Sequence, residues 1–562
     1  MLTLGLATII LGCGSPAGHA NRMETSYRWF MCSSDLQKPQ GAEQTIKAIE
    51  TASAAGYNGV LLDEVGFRSL KTISPAYLNS IQQVMSAAKR HNLELIPVVG
   101  KLGAAQDYLD RNPSLVESSP YFGSRFIAAG GMLRTMEPPI PIVNGSFEAF
   151  LADIPATFKA SHQSDVIVAQ DTAEHHSGGS SLRVDGQPSS QRGRGGENIE
   201  QPLVLKPWHQ YRLSLWTKAK APGASAVYLN AFSYLGKQVG SVQCQLGADW
   251  TRNDLVFNSL GEVPIKATIN VQSAHGANVW IDDLAIEDVA LMNITHRDDC
   301  QVVIKGEDGV VYSEGLDVLK IVDPEHQKPG GPGHFDLTHM PPVPVIPPNS
   351  RIHEGQIVNI DYYAALIDGG PPTICPKEPK SRAMMNEEMQ RVFSLLHPHF
   401  VLVGVDDVRT LGWDPGCETV GGPAGGILAG FVRDEIDLAK KFDSKVQVVT
   451  FSDMFDPYGN AREPYFMARG GTEDSAHGLP KDTIILNDNY LQSKESLGFF
   501  ARNGFSQVVL GYCDKAEGVL AIDQWQKNAA GLPGIKGFGY ATYLNDFSSL
   551  AEFAHTALSV TP

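Results

Sequence analysis

The periodicity of this chain changes twice along its length, and that change constrains the fold more than any other feature. Residues 28–33 (RWFMCS), 58–62 and 93–99 read as short apolar strands. Between them, 41–55 carries Ile46, Ile49 and Ala52 at helical spacing, and 75–91 does the same with Leu78, Ile81, Val84, Met85 and Ala88. From about 143 to 289 this rhythm disappears. YRLSLWT (211–217), AVYLNAF (226–232) and ATINV (267–271) alternate apolar and polar residues between Gly, Ser and Asn turns. Many short strands of this kind describe a β-sandwich. Strand and helix patterns resume at 356–361 (QIVNID) and continue with strands at 400–405, 446–451, 483–486, 507–510 and 535–540.

Strands alternating with helices imply a parallel sheet. The expected fold class is therefore α/β: a (β/α)8 TIM barrel interrupted by an inserted all-β jelly-roll sandwich. The nine candidate strands exceed the eight that such a barrel needs, so one of them belongs elsewhere. An open doubly wound sheet is the competing architecture, but it calls for a Gly-rich phosphate loop after its first strand, and Ser33-Ser34-Asp35-Leu36 is not one. The expected organisation is a leader at 1–20, a first barrel part at 21–142, and a carbohydrate-binding-module-like sandwich at 143–290. A β-rich connector with a Pro/Gly-rich loop follows at 291–354, and a second barrel part at 355–562. A chain of 562 residues requires such a division, because single cores stop growing near ~250–300 residues.

Acidic residues outnumber basic ones, 62 to 45, for a formal net charge of −17. That balance argues against nucleic acid as a partner. After the first residues, no segment has the ~20 apolar positions of a transmembrane span. Residues 2–11 form an apolar run of signal-peptide length. Ile10-Leu11-Gly12-Cys13 resembles a bacterial lipobox, with Cys13 as the lipid anchor, whereas Gly18-His19-Ala20 reads as an ordinary cleavage site. Both imply export, to the periplasm, the outer membrane as a lipoprotein, or the exterior. The seven cysteines are widely spaced without a CxxC, so each reads as a plain buried thiol.

In a barrel of parallel strands, chemistry gathers where strands end. The strand ends here carry Asp63 and Glu64; Asp361, Tyr362 and Tyr363; Asp406, Asp407 and Arg409 with Trp413 nearby; Asp453 and Asp456; Asn487, Asp488 and Asn489; Tyr512 and Asp514; and Tyr540 and Tyr543. Carboxylates do acid/base work, aromatic faces stack on sugar rings, and amides bond hydroxyls. No Lys stands at a strand end, which weighs against Schiff-base or phosphate chemistry. An isolated Asp after a strand is also a common helix cap, and Asp35, Asp63 and Asp488 read equally well that way. Asp406-Asp407 stands out, because two adjacent carboxyls raise one another's pKa. The candidate catalytic residues are Asp406, Asp407 and Tyr540. The candidate substrate contacts are Asp63, Asp361, Tyr362, Arg409, Trp413, Asp453, Asp456, Asn487, Tyr512, Asp514 and Tyr543.

The segment VGVDDVRTLGWDPGC (403–417) resembles the catalytic strand end of family 20 glycoside hydrolases, the β-N-acetylhexosaminidases, which carry Gly-Gly-Asp-Glu there. VVTFSDMFDPYGNA (448–461) and GFGYATYLNDF (537–547) are similar to later strands of such barrels. An Asp-Asp pair also resembles family 84 glycoside hydrolases. The resemblance implies removal of a terminal β-linked N-acetylhexosamine by substrate assistance, without a catalytic cofactor. Asp406 would orient the acetamido group, Asp407 would be general acid and base, and Tyr540 or Tyr543 would bond the acetamido oxygen. A glycosidase using two separated carboxylates and a non-catalytic surface glycan-binding protein are the alternatives. Asn144 to Glu148 (NGSFE), HHSGGSSLRVDG (175–186) and WIDDL (280–284) resemble carbohydrate-binding modules of families 4 and 9. That likeness implies a structural calcium near Glu148 and Asp283, and a glycan as partner.

Overall fold

A computed structural model describes residues 27–161, 166–186, 195–325, 335–418, 422–514 and 522–558. The leader and Cys13 lie outside the described residues, as does part of the Pro/Gly-rich loop.

Eight parallel strands close into a barrel: Tyr27–Ser34, Gly59–Glu64, Glu94–Val99, Phe400–Val403, Gln447–Phe451, Ile484–Asn487, Ser506–Tyr512 and Ile535–Ala541. The ring is completed by pairing of the eighth strand with the first, from Gly537 opposite Tyr27 to Tyr540 opposite Phe30. Successive side chains of a strand point to opposite faces, and the packing follows that rule. Trp29, Met31, Leu61, Ile96, Val98, Leu402, Val449, Phe451, Ile484, Leu486, Val508, Leu510 and Ala541 fill the barrel interior. Their alternate neighbours, among them Phe30, Cys32, Val60, Leu62, Val401, Val403, Val448 and Ile485, pack outward in the cluster that includes the helices. Apolar residues on both faces account for the nearly continuous hydrophobic runs of these strands.

The expected (β/α)8 TIM barrel with one inserted jelly roll needs correction. Helices do not alternate one for one with the strands. Two helices, Gly66–Ser69 and Pro75–Arg90, join the second strand to the third. Between the fifth and sixth, the connection holds only 3-10 turns at Asp453–Phe455 and Ser475–Gly478 and the two-residue strand Met467–Ala468. The third and fourth strands are joined through three antiparallel five-stranded sheets. Much of the chain is thus antiparallel, and the helices lie mainly outside the barrel.

Two of those sheets face each other as a sandwich. One runs in the order Thr251–Asn258, Gln210–Ala219, Val279–Val289, Ser181–Gly186, Val166–Asp171. The other runs Gln238–Gln243, Ser225–Ser233, Ile265–Ser273, Gly195–Leu203, Lys159–Ala160. Their inner residues, including Leu182, Leu213, Leu229, Ile269 and Ile281, share one core, which extends to Leu366, Trp413 and Met467 on the barrel side. The third sheet pairs Ile357–Ala365 with Ser118–Ala129. The ninth candidate strand therefore belongs to this sheet and not to the barrel. No helix among the described residues is long and apolar enough to cross a membrane.

Candidate functional site

Parallel strands end on one side, so the residues just beyond them form a single rim. The alternation within each strand decides which of its last residues point inward. Asp63 and Tyr512 lie within their strands, two residues on from inward Leu61 and Leu510. Asp406, Asp453 and Asp488 lie just past theirs and are close enough to act on one another electrostatically. Asp63, Asp406, Asp453 and Asp488 are all partly open to solvent.

Their electrostatics divide them. Burial pushes Asp63 up, but Lys101 and then Arg68 outweigh it and hold the carboxyl well below the usual range. Lys101 Nζ lies 3.1 Å from its Oδ2, and Arg68 Nη2 2.6 Å from Oδ1. Asp406 behaves oppositely. Burial raises its carboxyl to about 6; Lys101 opposes the rise, and Asp63, Asp407 and Asp488 add to it. Asp453 is raised well above the ordinary carboxylate value by burial, then by Asp488 and Asp406. Asp488 is raised by burial, against hydrogen bonds from Ser452 and Tyr512. Ser452 Oγ donates to Asp488 Oδ1 at 2.5 Å, and the Tyr512 hydroxyl to Oδ2 at 3.3 Å. One Asp453 oxygen, Oδ1, is buried without a hydrogen-bond partner. The rim thus pairs an ionised carboxylate with neighbours disposed to hold protons.

Asp407 faces elsewhere. Its backbone is left-handed (φ 46°), and its N–H donates to Asp453 Oδ2 at 3.0 Å. Its carboxylate accepts from Arg409 Nε at 2.7 Å and from the Tyr465 hydroxyl at 3.3 Å. The turn is held from below by Gly103, where a Cβ would meet the Asp406 carbonyl oxygen at 2.2 Å. Only glycine permits that approach.

An aromatic platform adjoins the carboxylates. Tyr543, 66% exposed, stacks on Tyr512 with ring centroids 4.9 Å apart and planes 6° from parallel. Asp514 fixes its loop by accepting from Tyr543 N at 2.6 Å and from the Thr542 hydroxyl. Asp514 is therefore a loop anchor.

Several other sequence candidates have structural duties. Tyr540 is fully buried and its hydroxyl donates to the Asp546 carbonyl at 2.5 Å, so it is not poised over the rim. Asp361 and Tyr362 lie in the antiparallel sheet: Asp361 accepts from Gly123 N at a bulge, and Tyr362 stacks on Tyr121. Trp413 packs in the sandwich core and donates from Nε1 to the Met467 carbonyl at 2.6 Å. Asn487 is buried and bridges Ser496 and Gln507. Asp456 accepts from Asn489 and from Tyr458 N, closing a turn. Lys101, Asp488 and Tyr465 join the site without having been assigned to it from sequence. Lys101 stands two residues past its strand and reaches back to Asp63.

Glu148 accepts from Gly179 N, and Asp283 accepts from His176 Nδ1 and Ser177 Oγ. Both carboxylates thus hold the loop at 176–179. Among the described residues, ligand-type atoms converge at Glu117, Cys375 and Cys417 and at Glu137, His209 and Asp288. Glu117 Oε1 already accepts from Gly412, Trp413 and Asp414, stapling the loop after the fourth barrel strand. The six described cysteines are buried and unbridged.

No family model matches the chain. No curated protein matches it either. Among solved structures, the chain is similar to a family 61 carbohydrate-binding module in complex with β-1,4-galactotriose, at 17% identity and TM-score 0.22, over 27% of this chain and 100% of that one. The C-terminal family 22 carbohydrate-binding module of Clostridium thermocellum Xyn10B is similar at 14% identity and TM-score 0.19, over 26% and 96%. The enzymatically active domain of bacteriophage CBA120 tailspike protein 4 is similar at 16% identity and TM-score 0.22, over 27% and 21%.

Proposed function

We propose that the chain binds a glycan at the barrel rim and hydrolyses a glycosidic bond there. The observation that carries this reading is the convergence of Asp406, Asp453 and Asp488, partly solvent-open, beside the exposed face of Tyr543. Glycoside hydrolysis needs one carboxyl to protonate the leaving oxygen and a second carboxylate as nucleophile or base. A carboxyl near pKa 6 can hold a proton for delivery and release it near neutral pH. Asp406 fits the proton-carrying role, with Asp488, whose ionised form Ser452 and Tyr512 stabilise by donating to its two oxygens, as the second carboxyl. The alternative division, with Asp407 as acid in a substrate-assisted hexosaminidase, is disfavoured by the ion pair that ties Asp407 to Arg409.

A panel of aryl glycosides, N-acetylhexosaminides included, tests the reading. Asp406→Asn is expected to lower kcat/KM by ~100-fold or more, with Asp407→Asn less damaging. A rate unaffected by Asp406→Asn refutes the assignment. Glycan binding without turnover of any linkage removes the hydrolytic half and leaves a binding protein.

A further inference from the structure

A cavity of about 580 Å³, lined by both polar and apolar side chains, opens where the sandwich meets the barrel loops. Tyr228, Gln238, Ser241 and Gln243 line it from the sandwich, and Asp368 and Arg409 from the barrel side. The two parts are in intimate contact. At Gly369 (φ 92°) a Cβ would meet the Ser241 carbonyl oxygen at 2.0 Å, so the loop lies directly on the edge strand of the sandwich.

Asp368 is the telling residue. It is 2% exposed, and its Oδ1 accepts from Gly370 N at 2.9 Å. Its Oδ2 is buried without a hydrogen-bond partner. Arg409 Nη1 approaches that oxygen only to 3.8 Å, beyond hydrogen-bonding range. A buried carboxyl oxygen left unpaired is costly, and a ligand hydroxyl in the cavity would satisfy it. Burial also raises the Asp368 pKa, against the pull of Arg409, which favours a form able to donate as well as accept. The cavity also connects to the rim: Arg409 reaches Asp407 through Nε, and the Asp407 N–H holds Asp453.

We propose that this cavity is a second sugar-binding subsite, built jointly by the sandwich and the barrel, which takes further neutral units of the glycan held at the rim. The proposal rests on the reading of the rim as a glycan site. Amides, a hydroxyl and a tyrosine face suit the hydroxyl-rich, uncharged surface of a neutral oligosaccharide. The sandwich thereby becomes part of the substrate path.

The test uses the full chain and β-1,4-linked oligosaccharides of N-acetylglucosamine, glucose, xylose and galactose, two to six units long. Binding is titrated calorimetrically on Asp406→Asn, and kcat/KM is followed against chain length on the otherwise unaltered chain. Longer oligosaccharides of one sugar are expected to gain at least 10-fold over the shortest. Tyr228→Ala and Gln243→Ala, each on a strand surface, should cut that long-to-short ratio to near one. Cleavage or binding at the rim with no length dependence, and no effect of either variant, overturns the subsite and leaves the rim reading intact. Binding that falls in both variants without any turnover supports the subsite and removes hydrolysis. Neither binding nor cleavage across the panel overturns both.

Discussion

Replacing Asp406 with the isosteric, uncharged Asn is expected to stabilise the protein at alkaline pH while lowering the hydrolysis proposed at the rim. A carboxyl raised from 3.8 to about 6 in the folded chain holds its proton more tightly than in the unfolded chain. Below pH 3.8 both states are protonated and the site is neutral, so Asn should differ little from Asp. As pH rises from 3.8 to about 6 the unfolded chain ionises freely while the crowded folded carboxyl stays protonated, so stability is lost across that window and the deficit is complete above it. Roughly two pKa units at 1.36 kcal/mol each give an upper figure of about 3 kcal/mol. Because Asp406 is partly open to solvent, screening reduces this to about 1–2 kcal/mol. The substitution also removes one of the charges that raise Asp453. Urea unfolding at about pH 4 and about pH 8 gives the comparison: midpoints should coincide at the lower pH and separate at the higher, with the variant more stable. A difference independent of pH, or a variant less stable at pH 8, would refute the argument that Asp406 is strained by burial and neighbouring charge.

Other outcomes follow from the same geometry. For the proposed hydrolysis, the kcat/KM profile should decline above about pH 6 as Asp406 ionises; a flat profile to pH 8 would assign the proton to another group. Trp413→Ala should cost about 3–5 kcal/mol in chemical unfolding, as a large core deletion does, because Trp413 packs in the core and is not a sugar platform. Tyr543→Ala should leave stability within ~0.5 kcal/mol, as surface changes do, and weaken glycan binding measured by titration. Gly103→Ala should lower both stability, by about 1–3 kcal/mol, and activity, since the added methyl displaces the Asp406 backbone.

The strands were readable because their apolar runs are short and bounded by helical patterns. Ile357–Ala365 has the same look, however, and its assignment to an antiparallel sheet depends on pairing with Ser118–Ala129, a distant partner that local pattern does not name. The connection between the fifth and sixth barrel strands has no α-helix among its described residues, so a regular strand–helix repeat overstates the order of the chain. At the rim, Asp63, Asp406, Asp453, Tyr512 and Tyr543 were visible as strand-end residues. Asp406 and Asp407 lie past the end of their strand, with Asp407 in left-handed backbone, so strand alternation alone does not separate their roles. The roles of Tyr540, Trp413 and Asp514 were not readable, because their hydrogen-bond partners come from loops whose paths only the folded chain defines.

The route of the chain also imposes an order on synthesis. The third and fourth barrel strands meet at only two positions, Val98 opposite Leu402 and Val99 opposite Val403, yet about 300 residues separate them in sequence. At ~5–20 residues per second, a ribosome needs roughly 15–60 s to deliver the fourth strand after the third. Throughout that interval the first three strands present an apolar, unpaired edge, while all the strands of the sandwich are made before the fourth, and only Trp413 and Met467 of its core come later. A nascent barrel fragment of this kind keeps that edge open to pairing with other chains until translation supplies the rest of the ring.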